Sequence, residues 1–246
     1  MELVILGTSA AFAGKGENCS SYLLRTENTQ FVIDAGPGSF GTLQNYTHYK
    51  DIGCIFLSHL HADHVSDIYT LRYAVYVAQR DGLMEGPLPI LMPKSPKRTF
   101  RFISDAIKGE FQIQEITDGL EVDKGGVKVR FRRGEHPVPC YAMRFEQDGK
   151  SLVYTADTMY TKELVTFARG ADVLLAEATL QAADSGLESM GHMTARRASK
   201  LAADARVGRL VLTHLWPEYD PQKSLEEAKA GFKDVILART GMTVSL

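Results

Sequence analysis

The sequence is poor in cysteine, and what cysteine it has forms no pattern. Cys19, Cys54 and Cys140 are odd in number and far apart, with no Cys-x-x-Cys pair. That excludes a disulfide framework and makes a reducing cytoplasm the expected location. Long apolar runs are missing too, since nothing approaches the roughly 18–20 residues of a membrane span. The opening Met1-Glu2-Leu3-Val4-Ile5-Leu6-Gly7 is too short and wrongly flanked for a signal peptide, and reads as a buried strand. No excess of one charge stands out. The formal net charge is −2, so no global basic field advertises nucleic acid, although a local basic patch remains compatible with that balance. Repeats, low-complexity stretches and linkers are also absent. What is left is an ordinary globular composition, 44% hydrophobic and 24% charged over 246 residues. It suits a single domain spanning residues 1–246 with a sizeable core.

Short β-branched or aliphatic runs predict strands at Glu2 to Leu6, Gln30 to Ile33, Ile52 to Leu57, Leu88 to Met92, Val127 to Arg132, Leu152 to Tyr154, Val173 to Leu175 and Leu210 to Leu212. Helical spacing appears in Asp67 to Arg80, Lys97 to Lys108, Thr161 to Arg169 and Thr194 to Ala205. Ser224-Leu225-Glu226-Glu227 has the form of a capping box opening a helix to Phe232. Residues 121–156 read as a meander turned at Gly125-Gly126 and Asp148-Gly149. Mixed sheets with helices outside are the economical α/β reading. Asp34, His59, His136, Asp157 and His214 each follow a predicted strand, so they can gather at one rim, outside the strands' carboxyl ends.

The densest chemistry is the run His59-Leu60-His61-Ala62-Asp63-His64. It places four ligand-type residues in six positions, in a chain with seven histidines. His59 and His61 alternate along an extended loop, and Asp63 and His64 turn toward a neighbouring position. One loop can thus serve two adjacent ions, and imidazole with carboxylate suits zinc, manganese or iron.

The motif resembles that of the metallo-β-lactamase superfamily. The resemblance implies a four-layer αββα sandwich of two mixed sheets with helices outside. It also implies a site for two divalent metal ions, zinc first with manganese or iron as alternatives. By the same resemblance His59, His61 and His136 hold one ion, Asp63, His64 and His214 the other, and Asp157 bridges. Asp34, in Asp34-Ala35-Gly36, would accept a hydrogen bond from a ligand imidazole. Gly191-His192-Met193-Thr194-Ala195 is similar to a segment of ribonuclease Z and related phosphodiesterases, in which the histidine faces the scissile phosphate. Thr194 would cap a helix from Ala195, leaving His192 beside its N-terminus, where an anion is favoured. Leu175-Ala176-Glu177-Ala178-Thr179 is similar to that group's His-Glu-Ala-Thr segment, with Ala176 departing from it. Glu177 would hydrogen-bond His192 and keep it protonated. Asp63, His192 and Glu177 are therefore the candidate catalytic residues. Tyr160, Arg196, Arg197 and Lys200 lie near the expected mouth, and an exposed helical face accounts for the last three.

The implied activity is hydrolysis of a small or cyclic phosphodiester, or a related nucleotide, by a metal-bridging hydroxide. Ribonuclease Z-type processing of the tRNA 3′ end is an alternative. It lacks its usual arm, because only 20 residues separate His136 from Asp157. Lactone or thioester hydrolysis is another enzymatic alternative, and a metal-stabilised binding or regulatory domain is the non-enzymatic one. No membrane partner is expected. A homodimer packed through the segment from Leu83 to Pro96 is possible by analogy with relatives.

Overall fold

Val127, Val129 and Phe131 point one way from their strand, and Lys128, Arg130 and Arg132 point the other. The same two-residue period recurs along the chain and divides apolar from polar faces. The computed structural model describes residues 1–246. One seven-stranded sheet contains β1 (Glu2–Gly7), β2 (Ser21–Arg25), β3 (Gln30–Ile33), β4 (Ile52–Phe56), β5 (Leu88–Met92) and β6 (Phe111–Glu115), with β14 (Thr243–Ser245) beside β1. The other is also seven-stranded. It contains β7 (Glu121–Lys124), β8 (Val127–Arg133), β9 (Tyr141–Gln147), β10 (Lys150–Tyr154), β11 (Val173–Glu177), β12 (Arg209–Thr213) and β13 (Val235–Leu237). In the first sheet β3 to β6 run parallel, and in the second β10 to β13 do. The two meander turns carry positive φ at Gly125, Gly126, Asp148 and Gly149, as tight hairpins require.

Three apolar layers separate four structural ones. Between the sheets lie Leu3, Tyr22, Phe31, Phe56, Phe131 and Phe145, all buried. A second layer packs the first sheet against α1 (Ser39–Leu43), α2 (Ala62–Val65), α3 (Ile68–Arg80) and α4 (Lys97–Ala106). A third packs the other sheet against α5 (Lys162–Ala168), α6 (Ala195–Ala205) and α7 (Pro221–Lys229). This is the αββα sandwich, with helices on both outer faces. No helix is long and apolar enough to cross a membrane.

Two local features differ from the sequence expectation or explain it. The capping-box pattern at Ser224 does not open a helix. Asp220 caps α7 instead, accepting from Gln222 N–H with Pro221 in the first turn, an arrangement proline favours. Ser224 is buried inside that helix, where its Oγ meets Gln181 Nε2 at 3.3 Å. Thr194 does cap α6, its side chain accepting from Arg197 N–H.

The ends of the parallel strands are backbone-strained. Asp34, Ala156 and His214 lie at or just beyond β3, β10 and β12 with φ of 55°, 52° and 52°. A non-glycine residue in that left-handed region costs roughly 1–2 kcal/mol. Such strain concentrates where a chain must aim side chains at a site.

Candidate metal centre

β4 delivers the dense motif to the rim. His59 follows it fully buried, His61 is extended at φ −74° and ψ 151°, and Asp63 and His64 sit in the single turn of α2. That change from extended to helical backbone sends the two pairs to different positions. His136 comes from the connection between β8 and β9. Asp157 comes from beyond β10, and His214 from the end of β12.

These residues converge in two groups. His59, His61 and His136 place one ligand atom each within 4.8 Å of one another, and so do Asp63, His64 and His214. His61 Nδ1 is 3.2 Å from His136 Nε2, and His64 Nε2 is 3.2 Å from His214 Nε2. Asp63 Oδ2 lies 3.3 Å from His214 Nε2 and 3.5 Å from His64 Nε2. Asp157 stands between the groups, 3.7 Å from His59 Nε2, 3.5 Å from His64 Nε2 and 3.4 Å from His214 Nε2. Proximity also groups His192 with His136 and Asp157, and with Glu177 and His214.

The surroundings fix how most of these imidazoles are presented. His64 Nδ1 donates to Asp34 Oδ2 at 2.8 Å, and His136 Nδ1 donates to the Gly191 carbonyl at 3.1 Å. Ser58 Oγ donates to Asp34 Oδ2 at 2.8 Å and can accept from His59 Nδ1 at 3.1 Å. Thr179 Oγ1 donates to Glu177 Oε2 at 2.6 Å and can accept from His214 Nδ1 at 2.8 Å. With the outer nitrogen donating, the Nε2 of a neutral imidazole turns its lone pair to the cluster, the tautomer a metal needs, and His64, whose pKa is raised, must first lose its Nε2 proton. Asp34 is the hub of this shell, also accepting from Ser58 N–H and the Tyr154 hydroxyl. Ala11 N–H holds Asp63 Oδ2 at 2.9 Å.

Two buried atoms test whether the donor set suits a cation. His59 Nε2 and Asp157 Oδ1 have no hydrogen-bond partner. An orphaned buried polar atom costs about 1–3 kcal/mol, and both atoms face the cluster. Nitrogen and oxygen donors of this kind fit divalent transition ions. Most of these groups are held in the charge state that ligates. Burial holds His59, His61 and His136 below the ordinary imidazole value. Burial opposes charge on His64 as well, but Asp157 and Asp34 outweigh it and push its pKa up. Asp63 and Asp157 resist burial and stay ionised because the histidines beside them stabilise the anions.

His192 reaches the rim through a close backbone approach. A Cβ on Gly191, whose φ is 96°, would come within 2.7 Å of Pro137 Cδ and 2.8 Å of His136 Nδ1. Only glycine lets this loop press on the His136 segment. Gly36 does the same below Asp34, where a Cβ would meet the Asp63 carbonyl oxygen at 2.2 Å. His192 Nδ1 lies 3.1 Å from Glu177 Oε1. Burial lowers its pKa, but the attraction and hydrogen bond from Glu177 outweigh that and bring it to about 9. Glu177 is buried and also accepts from Thr158 N–H and Thr179 N–H. Arg197 and Lys200 instead pair with Glu188 and Asp204 on the exposed side of α6. Cys19, Cys54 and Cys140 are buried free thiols, each with its pKa raised mainly by burial.

Sequence reasoning missed Ser58, Tyr154, Thr179 and the Ala11 amide. Only Thr179 lay inside a segment already singled out for chemistry.

The β-lactamase superfamily domain model matches residues 29–215. The metallo-β-lactamase fold protein YhfI of Bacillus subtilis (strain 168) is 31% identical over 243 residues, covering 98% of both chains. Its crystal structure superposes with a TM-score of 0.93 at 29% identity, covering 99% of this chain and 98% of that one. Ribonuclease BN of Enterobacter sp. (strain 638) is 28% identical over 308 aligned positions, covering 99% of both chains. A diphosphatase of the PhnP family shares the fold, with a TM-score of 0.79 at 17% identity and coverage of 100% and 97%.

Proposed function

The chain belongs to the β-lactamase superfamily and is a metallo-hydrolase by kinship, and from that premise we propose that it is a phosphodiesterase for a small or cyclic phosphodiester. The observation that carries the reading is the Glu177–His192 pair at the edge of the metal cluster. A protonated imidazole, held by a buried carboxylate beside divalent cations, suits an anionic phosphoryl group. A neutral lactone or thioester has less use for it.

In this reading His59, His61 and His136 would hold one ion and Asp63, His64 and His214 the second, with Asp157 within reach of both groups. Bound divalent ions, zinc first and manganese or iron as alternatives, supply Lewis-acid charge and make water nucleophilic near neutral pH. Asp34, Ser58 and Thr179 keep the ligand imidazoles in one tautomer. Asp63, fixed by Ala11 N–H, orients the attacking water. With Nδ1 committed to Glu177, His192 presents its Nε2–H to a phosphoryl oxygen and stabilises the charge that develops there.

A tRNA 3′ endonuclease is the second reading, favoured by the kinship with ribonuclease BN. Chain length speaks for the smaller substrate. The ribonuclease aligns over 308 positions against 246 residues here, and the stretch from His136 to Asp157 is short and mostly strand and turn.

The test joins metal analysis to a substrate panel of bis-p-nitrophenyl phosphate, a cyclic nucleotide, a pre-tRNA, a lactone and a thioester. Phosphodiester turnover, with loss of turnover but retention of metal in His192→Ala, is the expected result. Turnover of the lactone or thioester alone, or unchanged kinetics in His192→Ala, would overturn the reading.

A further inference from the structure

The metal cluster forms the floor of a cavity of about 320 Å³ whose upper wall is apolar. Leu180, Leu187, Met190, Trp216 and Tyr219 make that wall. Leu187 and Met190 stand 47% and 60% exposed, and Phe12, 45% exposed, packs edge-on against Trp216 with ring centroids 5.2 Å apart. Contiguous apolar surface left in water beside a reactive centre marks a binding surface.

The wall is held in place. The Tyr219 hydroxyl donates to Asp184 Oδ2 at 2.7 Å, and Ala182 N–H donates to Glu227 of α7 at 2.9 Å. The segment bearing Leu187 and Met190 is thus tied to the loop and helix that follow Trp216. Its charge is equally informative. No lysine or arginine lines the cavity, and its basic side chains are the histidines of its floor. A polynucleotide backbone is gripped mainly by cations on successive phosphates, and this cavity offers no such row. Its volume lies at the small end of ligand sites, which run from roughly 300 to 1,000 Å³.

We propose that Trp216, Leu187 and Met190 form a subsite for one flat, uncharged ring system carried by the phosphodiester, a nucleobase or an equivalent aryl group. The proposal rests on the phosphodiesterase reading above and narrows its substrate class. An indole in the wall can stack on such a ring, Met190 can adapt to the ring's outline, and the ester phosphate then reaches the floor beside His192.

Trp216 is the chain's single tryptophan, so its fluorescence reports the subsite without turnover. The probes are adenosine 3′,5′-cyclic phosphate and the base-free methyl riboside 3′,5′-cyclic phosphate. Quenching by the first and little by the second is expected, with kcat/KM favouring the base-bearing ester. Trp216→Ala should cut that preference roughly tenfold or more, as loss of base–aromatic stacking does. Met190→Lys, a change at an exposed side chain, should cut it as well and improve turnover of a short oligonucleotide. Equal quenching by both probes, or an unchanged preference in both variants while turnover persists, overturns the subsite and leaves the phosphodiesterase reading standing. Failure to hydrolyse either probe or bis-p-nitrophenyl phosphate, with metal bound, overturns both.

Discussion

Replacing Glu177 with glutamine isolates the charge on His192. In the metal-free protein burial pushes this imidazole down, but Glu177 Oε1 at 3.1 Å reverses the effect and sets the pKa at about 9, against an ordinary 6.5. That difference is worth roughly 3 kcal/mol between protonation states. Because the folded value is the higher one, the pair's contribution to stability is complete below pH 6.5 and is lost as pH rises through about 9. In Glu177→Gln the negative charge is gone and burial acts with little opposition, so His192 should titrate at or below 6.5. Histidine proton NMR on the metal-free protein reads the value directly, with His192→Ala assigning the resonance. Urea midpoints at pH 6.5 and 9.5 should differ more in the parent protein than in Glu177→Gln, which has no comparable stabilisation to lose at that site. A parent His192 titrating near 6.5, or an unchanged value in the variant, would refute the coupling. Loading divalent ions should move the His192 value down by direct repulsion, and its affinity for an anionic product should then tighten as pH falls.

His59→Ala removes a buried imidazole whose Nε2 has no hydrogen-bond partner, and if it is a ligand elemental analysis should find metal content well below that of the parent; full occupancy would discard the ligand assignment. Asp34→Asn leaves the fold's apolar layers intact but weakens the acceptor of Ser58, Tyr154 and His64. Zinc affinity, measured by chelator competition, should fall by about 10–100-fold. Thr179→Val should weaken metal binding through His214, whereas Thr179→Ser should restore most of it, because only the hydroxyl reaches His214 Nδ1.

The sequence makes the dense half of the site easy to see and the dispersed half hard. Six consecutive residues from His59 to His64 advertise themselves by composition alone. His136, Asp157 and His214 are each isolated in the chain; their position after predicted strands placed them at one rim, and only a resemblance covering the whole sequence gave them roles. Ser58, Tyr154 and Thr179 are ordinary neutral residues whose importance lies in contacts such as Tyr154 to Asp34, 120 residues apart. No local period encodes such a contact. The strands follow the same rule. Fully apolar runs such as Ile52–Phe56 stand out, whereas β2, with serine and arginine at its ends, and the three-residue β13 and β14 exist mainly because neighbours pair with them. The misplaced helix start has a related cause. Asp220-Pro221 and Ser224-Leu225-Glu226-Glu227 are both valid start patterns, and burial of Ser224 against Gln181 decides between them.

The candidate ligands come from both sheets, so a bound metal should stabilise the fold. His59, His61, Asp63 and His64 hang from the first sheet, and His136, Asp157 and His214 from the second. Between the sheets run Phe31, Phe56, Phe131 and Phe145, and at the rim the ties across them in the metal-free protein are polar, among them Tyr154 to Asp34, Tyr22 to Thr213 and Tyr141 N–H to the Ser58 carbonyl. Ions held by both sets would join the sheets where strained backbone and orphaned donors now sit. An ion at 1,000 times its dissociation constant adds about 4 kcal/mol if only the folded state binds it, and in a domain of this size that corresponds to a rise in Tm of roughly 10 °C. Differential scanning calorimetry with zinc and with a chelator measures it. The gain should shrink as pH falls, because protons must leave His64 before its Nε2 can ligate. Equal melting temperatures despite tight binding measured by competition would mean that the unfolded chain binds the ions as tightly as the folded one, and a site assembled from both sheets by folding would have to be abandoned.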